Sequence, residues 1–191
     1  LESDPDAGFS ALLADAATGV GAASSDAEAM QCLRRLKGGA ALLIALADIG
    51  GAWPLPRVTH ALTQLADTAI ALALRFLLTR ATEDGKFRPL EASDPVVGCG
   101  YVVLAMGKMG AFELNYSSDI DLICVYDTET PRLADGVEAA PFYIRLTRSL
   151  ARMLQERTGD GYVLRVDLRL RPDPGSTQVA LSINAALDYY E

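Results

Sequence analysis

The sequence predicts an α+β fold, in which an N-terminal helical segment over residues 1–92 precedes a core of strands and helices over residues 93–191. Three observations predict it. Alanine is abundant in the first half, where apolar residues recur every three to four positions, the period of an amphipathic helix. After Pro95 the period changes, and short apolar runs typical of buried strands appear. The polar stretch over residues 82–95 contains glycine and proline and indicates a linker.

Two long helices are predicted in the helical segment. The first follows a cluster of capping residues at 24–26 and ends at the glycine pair 50–51. The second runs from about Arg57 to Arg80, after a rigid turn with two prolines, and carries one apolar stripe. A Gly/Pro turn between two long helices favours an antiparallel hairpin.

Three strands are predicted in the core. They cover residues 101–106, 120–126 and 162–170, and the Pro/Gly-rich stretch 172–175 ends the third. A short helix or turn is predicted between the first two strands, at 108–114. An amphipathic helix is predicted from residue 142 to residue 157, ahead of the third strand.

The composition excludes several classes of function. The 191 residues include 17 basic and 25 acidic side chains, and the net charge of −8 argues against nucleic acid as a partner. Three scattered cysteines and one histidine suit neither a disulfide framework nor a thiolate or His-rich metal site. The longest apolar run, at residues 40–47, is far below the ~18 residues of a membrane span. We therefore expect a cytoplasmic protein with no membrane partner.

Paired carboxylates begin the second strand. Because side chains alternate along a strand, Asp119 and Asp121 point to the same face. Two carboxylates this close repel each other unless a cation neutralises them, and oxygen ligands of this kind suit Mg²⁺ or Mn²⁺. The alternative is a solvated pair of aspartates at the end of a strand.

The third strand carries a third carboxylate among arginines. From residue 163 to residue 171 the charged side chains occupy odd positions, and the even positions are apolar. Asp167 therefore shares one strand face with Arg165, Arg169 and Arg171. This face could be a solvent-exposed surface with cross-strand charge pairing. It could instead supply a third metal ligand beside guanidinium groups that bind phosphate oxygens.

Two long motifs connect these residues to a known family. Residues 106–123 read MGKMGAFELNYSSDIDLI, and residues 160–172 read DGYVLRVDLRLRP. A strand, a glycine turn, an Asp-x-Asp strand and a later strand with a third Asp resemble the polymerase-β-like nucleotidyltransferase superfamily. The two motifs, together with ALLIALADIG at residues 41–50, resemble the bacterial glutamine synthetase adenylyltransferase/adenylyl-removing enzymes. The resemblance implies a mixed sheet with flanking helices for residues 93–191, incomplete at the C-terminus.

The resemblance also implies a reaction. Members of this family are large and carry two related halves, of which the amino-terminal half removes AMP from a tyrosine of glutamine synthetase and the carboxy-terminal half attaches it. Residues 170–191 and the Ala-rich helix before Gly50 resemble the amino-terminal half, which uses inorganic phosphate and releases ADP. Two alternatives remain: the ATP-using adenylyltransferase half, and a nucleotidyltransferase-like module that serves only regulation or docking.

The resemblance assigns roles to particular residues. The catalytic carboxylates, which hold Mg²⁺ or Mn²⁺, are Asp119, Asp121 and Asp167. The residues expected to contact phosphate or nucleotide are Gly107, Lys108, Ser117, Ser118, Arg169 and Arg171. At the glycine turn, Lys108 stands where the superfamily has the second residue of a Gly-Ser or Gly-Gly pair. The implied partners are glutamine synthetase, a PII-type signalling protein, a nucleotide (ADP or ATP) and phosphate.

Overall fold

The computed structural model describes residues 4–171, 173 and 175–190. These residues form, in chain order, α1 (Pro5–Gly21), α2 (Asp26–Ile49), α3 (Leu55–Glu83), β1 (Tyr101–Ala105), α4 (Gly107–Gly110), β2 (Ile120–Tyr126), α5 (Ala139–Gln155), β3 (Val166–Asp167), β4 (Leu181–Ser182) and α6 (Ile183–Tyr190). The predicted α+β class, with a helical N-terminal part and a small mixed sheet, is confirmed.

The two predicted long helices are α2 and α3, and the structure adds α1 before them. Ser25 caps α2 through a hydrogen bond from the Glu28 N–H to its hydroxyl, at 3.3 Å. The sequence did not single out α1, because alanine and glycine dominate it and its apolar period is weak. It is held by packing, since Phe9 is buried and meets the Trp53 ring edge-on at a centroid distance of 6.0 Å.

Helix α3 forms the centre of the apolar core. By length and composition it could cross a membrane, with a mean hydropathy of 1.5 over its most apolar 18-residue window. However, 67% of that window is buried inside this protein. One core cluster joins α3 to α2 on one side and to the strand residues Ile120 and Leu122 on the other. Burial of this kind is typical of the core helix of a globular fold.

The sheet is mixed and centred on β2. Strand β1 pairs with it antiparallel, from Tyr101 opposite Tyr126 to Ala105 opposite Leu122. Strands β3 and β4 pair with β2 in parallel, β3 at its start and β4 at its end. The side of the sheet that carries Ile120 and Leu122 is buried, so the alternate positions of β2 face away from the main core.

The third predicted strand is much shorter than expected. Sequence alternation predicted it over residues 162–170, whereas β3 covers only two residues. The backbone N–H groups of Val163 and Leu164 both donate to the carbonyl of Leu154 at the end of α5, at 2.9 and 3.0 Å. The donors that a longer strand would use are therefore bound to a helix end. Pro172 and Pro174 of the predicted terminating turn lie outside the described residues.

A buried arginine joins the helical segment to the core. Arg34 of α2 is 3% exposed, and its Nε donates to the carbonyl of Gly161 at 2.9 Å. Its Nη1 donates to the carbonyls of Met30 and Met153 at 2.9 and 3.3 Å, and its Nη2 donates to that of Glu156. Burial lowers the pKa of Arg34, but an arginine stays charged at neutral pH. This cation ties α2 to the end of α5 and to the turn before β3.

Candidate functional site

Asp121 and Asp167 are direct neighbours across two parallel strands. The register of β2 and β3 pairs these two residues at their Cα atoms. Partners in neighbouring strands lie about 5 Å apart and point to the same face. The Asp167 side chain is 17% exposed, and Asp121 is half-buried. The pairing of β3 with β2 therefore brings a second carboxylate, that of Asp167, beside Asp121.

Asp119 is one residue ahead of β2 and is held by an arginine from the segment before β3. The Arg165 Nε donates to Asp119 Oδ1, and its Nη2 donates to the carbonyl of Ser117. The backbone carbonyl of Arg165 also accepts the Ile120 N–H at 2.9 Å. The carboxylate of Asp119 raises the pKa of Arg165. Sequence analysis placed Arg165 on the face of Asp167, and the structure gives it to Asp119 instead.

Arg169 closes back onto Asp167. The carboxylate accepts the Arg169 backbone N–H at 2.8 Å, its Nε at 3.0 Å and its Nη2 at 2.6 Å. These hydrogen bonds hold the pKa of Asp167 below its ordinary value of 3.8. The pKa of Arg169 is raised by Asp167 and, through the field, by Asp119 and Asp121. The Arg169 side chain is 80% exposed. Its guanidinium binds Asp167 directly and interacts electrostatically with Asp119 and Asp121.

Arg169→Gln is expected to raise the pKa of Asp167 towards its ordinary value of 3.8. A carboxyl with a depressed pKa stabilises the fold above its unfolded value, and that contribution is lost as the pH falls through the folded pKa. The variant should therefore lose less stability on acidification below pH 3.8 than the wild type does. Carboxyl NMR titration measures the pKa. Arg88→Gln is the distant control and should leave the pKa of Asp167 unchanged. An unchanged Asp167 pKa in Arg169→Gln would contradict the pairing.

The three carboxylates match the donor chemistry of a hard divalent cation, although they do not converge on one point. Within residues 4–171, 173 and 175–190, no group of three Asp, Glu, His or Cys side chains is placed to hold a metal ion. Asp119 is turned to Arg165 and Asp167 to Arg169. In the same part of the chain, Asp121 forms no ion pair within 4.0 Å. Asp121 thus presents a carboxylate without a direct ion pair in this part of the chain, and its oxygens suit Mg²⁺ or Mn²⁺.

The glycine turn after β1 lies against Asp121. Gly107 has a φ of +56°, and a Cβ at this position would lie 2.9 Å from Asp121 Oδ2. The backbone N–H of Met106 donates to the Asp121 carbonyl at 2.9 Å, which fixes the turn beside β2. Glycine is required here twice, for its backbone conformation and for the close approach of the carboxylate.

Gly107→Ala is expected to lower the free energy of unfolding by more than the roughly 1–2 kcal/mol that a left-handed backbone costs a non-glycine residue. It should also displace the Asp121 carboxylate and reduce activity. Gly85→Ala is the matched control, because Gly85 has a φ of +70° with nothing within 4 Å of an added Cβ. Urea denaturation and activity assays compare the two. Equal destabilisation of both variants would contradict the contact.

The remaining predicted phosphate contacts are only partly brought to this place. Lys108 is exposed beside Gly107, and its carbonyl accepts the Glu113 N–H at 2.8 Å. Residues 108 and 113 are therefore joined through the backbone. Ser117, with a φ of +60°, gives its carbonyl to Arg165, and the hydroxyl of Ser118 donates to the Asn115 side chain.

Arg171 is drawn towards the backbone. Its Nη1 donates to the carbonyl of Leu168, and its Nε donates to that of Thr177 at 3.4 Å. It is half-buried, in contrast to the exposed Arg169. The structure thus groups Gly107, Asp119, Asp121, Asp167 and Arg169, with Lys108 at the same turn, and gives Arg171 a role in holding the chain after β3.

The loop between β1 and β2 rests on the helical segment. Leu114 is buried, and its N–H donates to the hydroxyl of Thr63 in α3 at 3.3 Å. Thr63 is 1% exposed and donates to the Thr59 carbonyl at 3.0 Å. Tyr116 donates to Asp48 of α2 at 3.2 Å. These contacts position the segment that leads to Asp119. Sequence analysis missed Thr63, because a lone threonine on an apolar helix face gives no signal of a distant partner.

Thr63→Val is expected to leave the Leu114 N–H without its acceptor and to reduce activity, while Thr63→Ser retains it. The loss of a buried hydrogen bond of this kind costs about 1–3 kcal/mol of stability. The measurement is kcat together with the free energy of unfolding for the two variants. Equal activity of Thr63→Val and Thr63→Ser would show that this hydrogen bond does not position the loop.

Comparison with known proteins identifies the family. The sequence profile of the glutamate-ammonia ligase adenylyltransferases matches residues 4–191. The chain belongs to this family. Its curated relatives include the bifunctional glutamine synthetase adenylyltransferase/adenylyl-removing enzymes of Xanthobacter autotrophicus, 61% identical, and of a Bradyrhizobium species and Rhodopseudomonas palustris, each 58% identical. All three alignments cover the whole chain but 19% of the relative. The chain thus spans about a fifth of the length of these adenylyltransferases.

Proposed function

We propose that this chain carries the carboxylate site for removing AMP from an adenylylated tyrosine of glutamine synthetase. The observation that carries the proposal is the register of Asp121 with Asp167, with Asp119 two residues ahead of Asp121 in the chain. The names of the relatives state both adenylyl transfer and adenylyl removal. The direction rests on the resemblance of residues 170–191 and of the Ala-rich helix to the deadenylylating half.

The proposed reaction is a phosphorolysis. An oxygen of inorganic phosphate forms a bond to the phosphorus of the tyrosine-bound AMP, and the bond from that phosphorus to the tyrosyl oxygen breaks. The electron pair stays on the tyrosyl oxygen, which takes the proton that HPO₄²⁻ brought. The products are ADP and an unmodified tyrosine, so atoms and charge balance. An in-line displacement of this kind needs positioning and charge stabilisation more than covalent help from the protein.

The site residues fall into two groups, carboxylates that suit a metal cation and basic side chains that suit the phosphate anion. Asp119, Asp121 and Asp167 would hold Mg²⁺ or Mn²⁺, which when bound neutralises phosphate oxygens and stabilises charge on the entering and leaving oxygens. Arg169 is exposed and presents a guanidinium that matches phosphate bidentately. Lys108, next to Gly107 in the turn, is a second exposed positive charge. The PII-type regulator stays a prediction of the resemblance, and the cytoplasmic location stays a prediction of the composition.

The experiment uses the natural protein that contains this chain. It is incubated with adenylylated glutamine synthetase, phosphate and Mg²⁺, and released ADP is measured. We expect ADP from the wild type and from Asp135→Asn, a control whose side chain is 94% exposed. We expect a loss of ADP release with Asp119→Asn. Unchanged release in Asp119→Asn would contradict the site.

Two other outcomes would decide for the alternative functions. ATP-dependent attachment of AMP to glutamine synthetase that is lost in Asp119→Asn would identify the adenylyltransferase direction. Binding of glutamine synthetase with no metal binding, measured by calorimetry with Mg²⁺ and Mn²⁺, would identify a regulatory module.

A further inference from the structure

A cavity of about 150 Å³ lies between α2, α3 and the loop that leads to β2. Its inner wall is apolar and includes Leu62 and Leu65 of α3, Leu114 of the loop and Val163 before β3. All four of these residues are buried. An apolar space of this size accepts one aromatic ring, as benzene binds in an engineered cavity of ~150 Å³.

The rim of the cavity is polar and adjoins the candidate site. It includes Lys37, Ser117, Tyr162 and Arg165. Arg165 is the residue that binds Asp119, so the mouth of the cavity and the first carboxylate share one guanidinium. Lys37 lies with its Nζ 5.6 Å from the centroid of the Tyr162 ring, and among the described residues it forms no ion pair within 4.0 Å. The rim thus holds the Lys37 ammonium group and the Arg165–Asp119 ion pair above an apolar floor.

We propose that this cavity receives the aromatic ring of the adenylylated tyrosine of the protein substrate. The inference rests on the function proposed above and adds to it a binding site for the leaving group. An apolar chamber with a polar mouth matches a phenyl ring that ends in a polar ester oxygen. When the ring is inserted, its oxygen lies at the rim, beside Arg165 and Asp119. A whole nucleoside is too large for the chamber, which favours the tyrosine over the adenosine as its occupant.

The positive rim adds a reason for this choice. The tyrosyl oxygen gains negative charge as its bond to phosphorus breaks. Lys37 and Arg165 stand at the mouth where this oxygen would lie, and cations placed at a developing negative charge stabilise it. The same rim would attract the anionic phosphate of the AMP group. Ring size, wall chemistry and rim charge therefore select one substrate group.

The test uses a larger side chain at one position of α2 to fill the cavity. Ala41 of α2 lines the cavity, whereas Ala45, one turn further along the same helix and also half-buried, does not. In the natural protein that contains this chain, Ala41→Leu is expected to raise KM for adenylylated glutamine synthetase about tenfold, the loss that follows when an aromatic ring can no longer be buried. Ala45→Leu should leave KM unchanged.

A second measurement separates this inference from the proposed function. Equilibrium dialysis with N-acetyltyrosinamide should detect binding to the wild type and to Ala45→Leu, and weaker binding to Ala41→Leu. Equal KM values for the two variants, or equal binding of N-acetyltyrosinamide, would overturn the inference. Failure of the wild type to release ADP from glutamine synthetase would overturn the proposed function, while the dialysis result would still decide whether the cavity binds the ring.

Discussion

Asp121→Asn is expected to reduce nucleotidyl transfer by more than about 100-fold while leaving the fold intact. Removing a residue that hydrogen-bonds to a metal ligand lowers metal affinity or activity by about 10- to 100-fold. Removing a carboxylate that binds the metal directly should therefore lower it by more. Asp121 is the carboxylate with the fewest protein partners, since Asp119 and Asp167 are each held by an arginine. Asparagine keeps its volume and removes only its charge. The measurements are kcat/KM and the calorimetric affinity for Mg²⁺.

The control for Asp121 is at the other end of the same strand. Asp127 follows β2, is exposed and accepts a local hydrogen bond from the Glu129 N–H at 2.9 Å. Asp127→Asn should therefore have near wild-type activity and Mg²⁺ affinity. If Asp121→Asn retained the Mg²⁺ affinity of Asp127→Asn, the pairing of Asp121 with Asp167 would not be a metal site.

Arg34→Met is expected to cause the largest loss of stability among single substitutions at buried polar positions. The variant removes the donors for four backbone carbonyls at the junction of α2, α5 and the turn before β3. A buried polar group left without its partner costs about 1–3 kcal/mol. Because some of these carbonyls will find water, we expect a total loss of about 3–4 kcal/mol in the free energy of unfolding, measured by urea denaturation.

The neighbouring arginine is a control for that loss. Arg35 follows Arg34 in the same helix but is exposed. Arg35→Met should change the free energy of unfolding by less than about 0.5 kcal/mol, as is usual for surface positions. If the two variants were equally stable, the four hydrogen bonds of Arg34 would contribute nothing to holding the helical segment on the core.

The sequence predicted the fold and the site best where the spacing of apolar and polar residues fits only one type of secondary structure. Alternation predicted one face for Asp119 and Asp121. The parallel register of β2 with β3 sets Asp167 beside Asp121, whereas Asp119 precedes β2 and binds Arg165. Alternation was misleading after residue 161, because Leu154 accepts the two N–H groups that a longer strand would have used. Two-residue strands such as β4 leave no period to detect.

Long-range partners were the part of the site that sequence could not supply. Arg169 binds Asp167 two residues away, which the shared strand face anticipated. Arg165 binds Asp119 across 46 positions, and Thr63 accepts the Leu114 N–H across 51 positions. Such pairs depend on how β3 and α3 pack against β2. Residue type and spacing alone do not determine that packing.

The most direct test of the proposed phosphorolysis follows the inorganic phosphate into the product. The natural protein that contains this chain is incubated with adenylylated glutamine synthetase and ³²P-labelled inorganic phosphate, and the nucleotide product is analysed. Phosphorolysis at this site predicts that the label appears as the β-phosphate of ADP, and that Asp121→Asn abolishes its appearance. Release of unlabelled AMP, with all of the label remaining in inorganic phosphate, would contradict it.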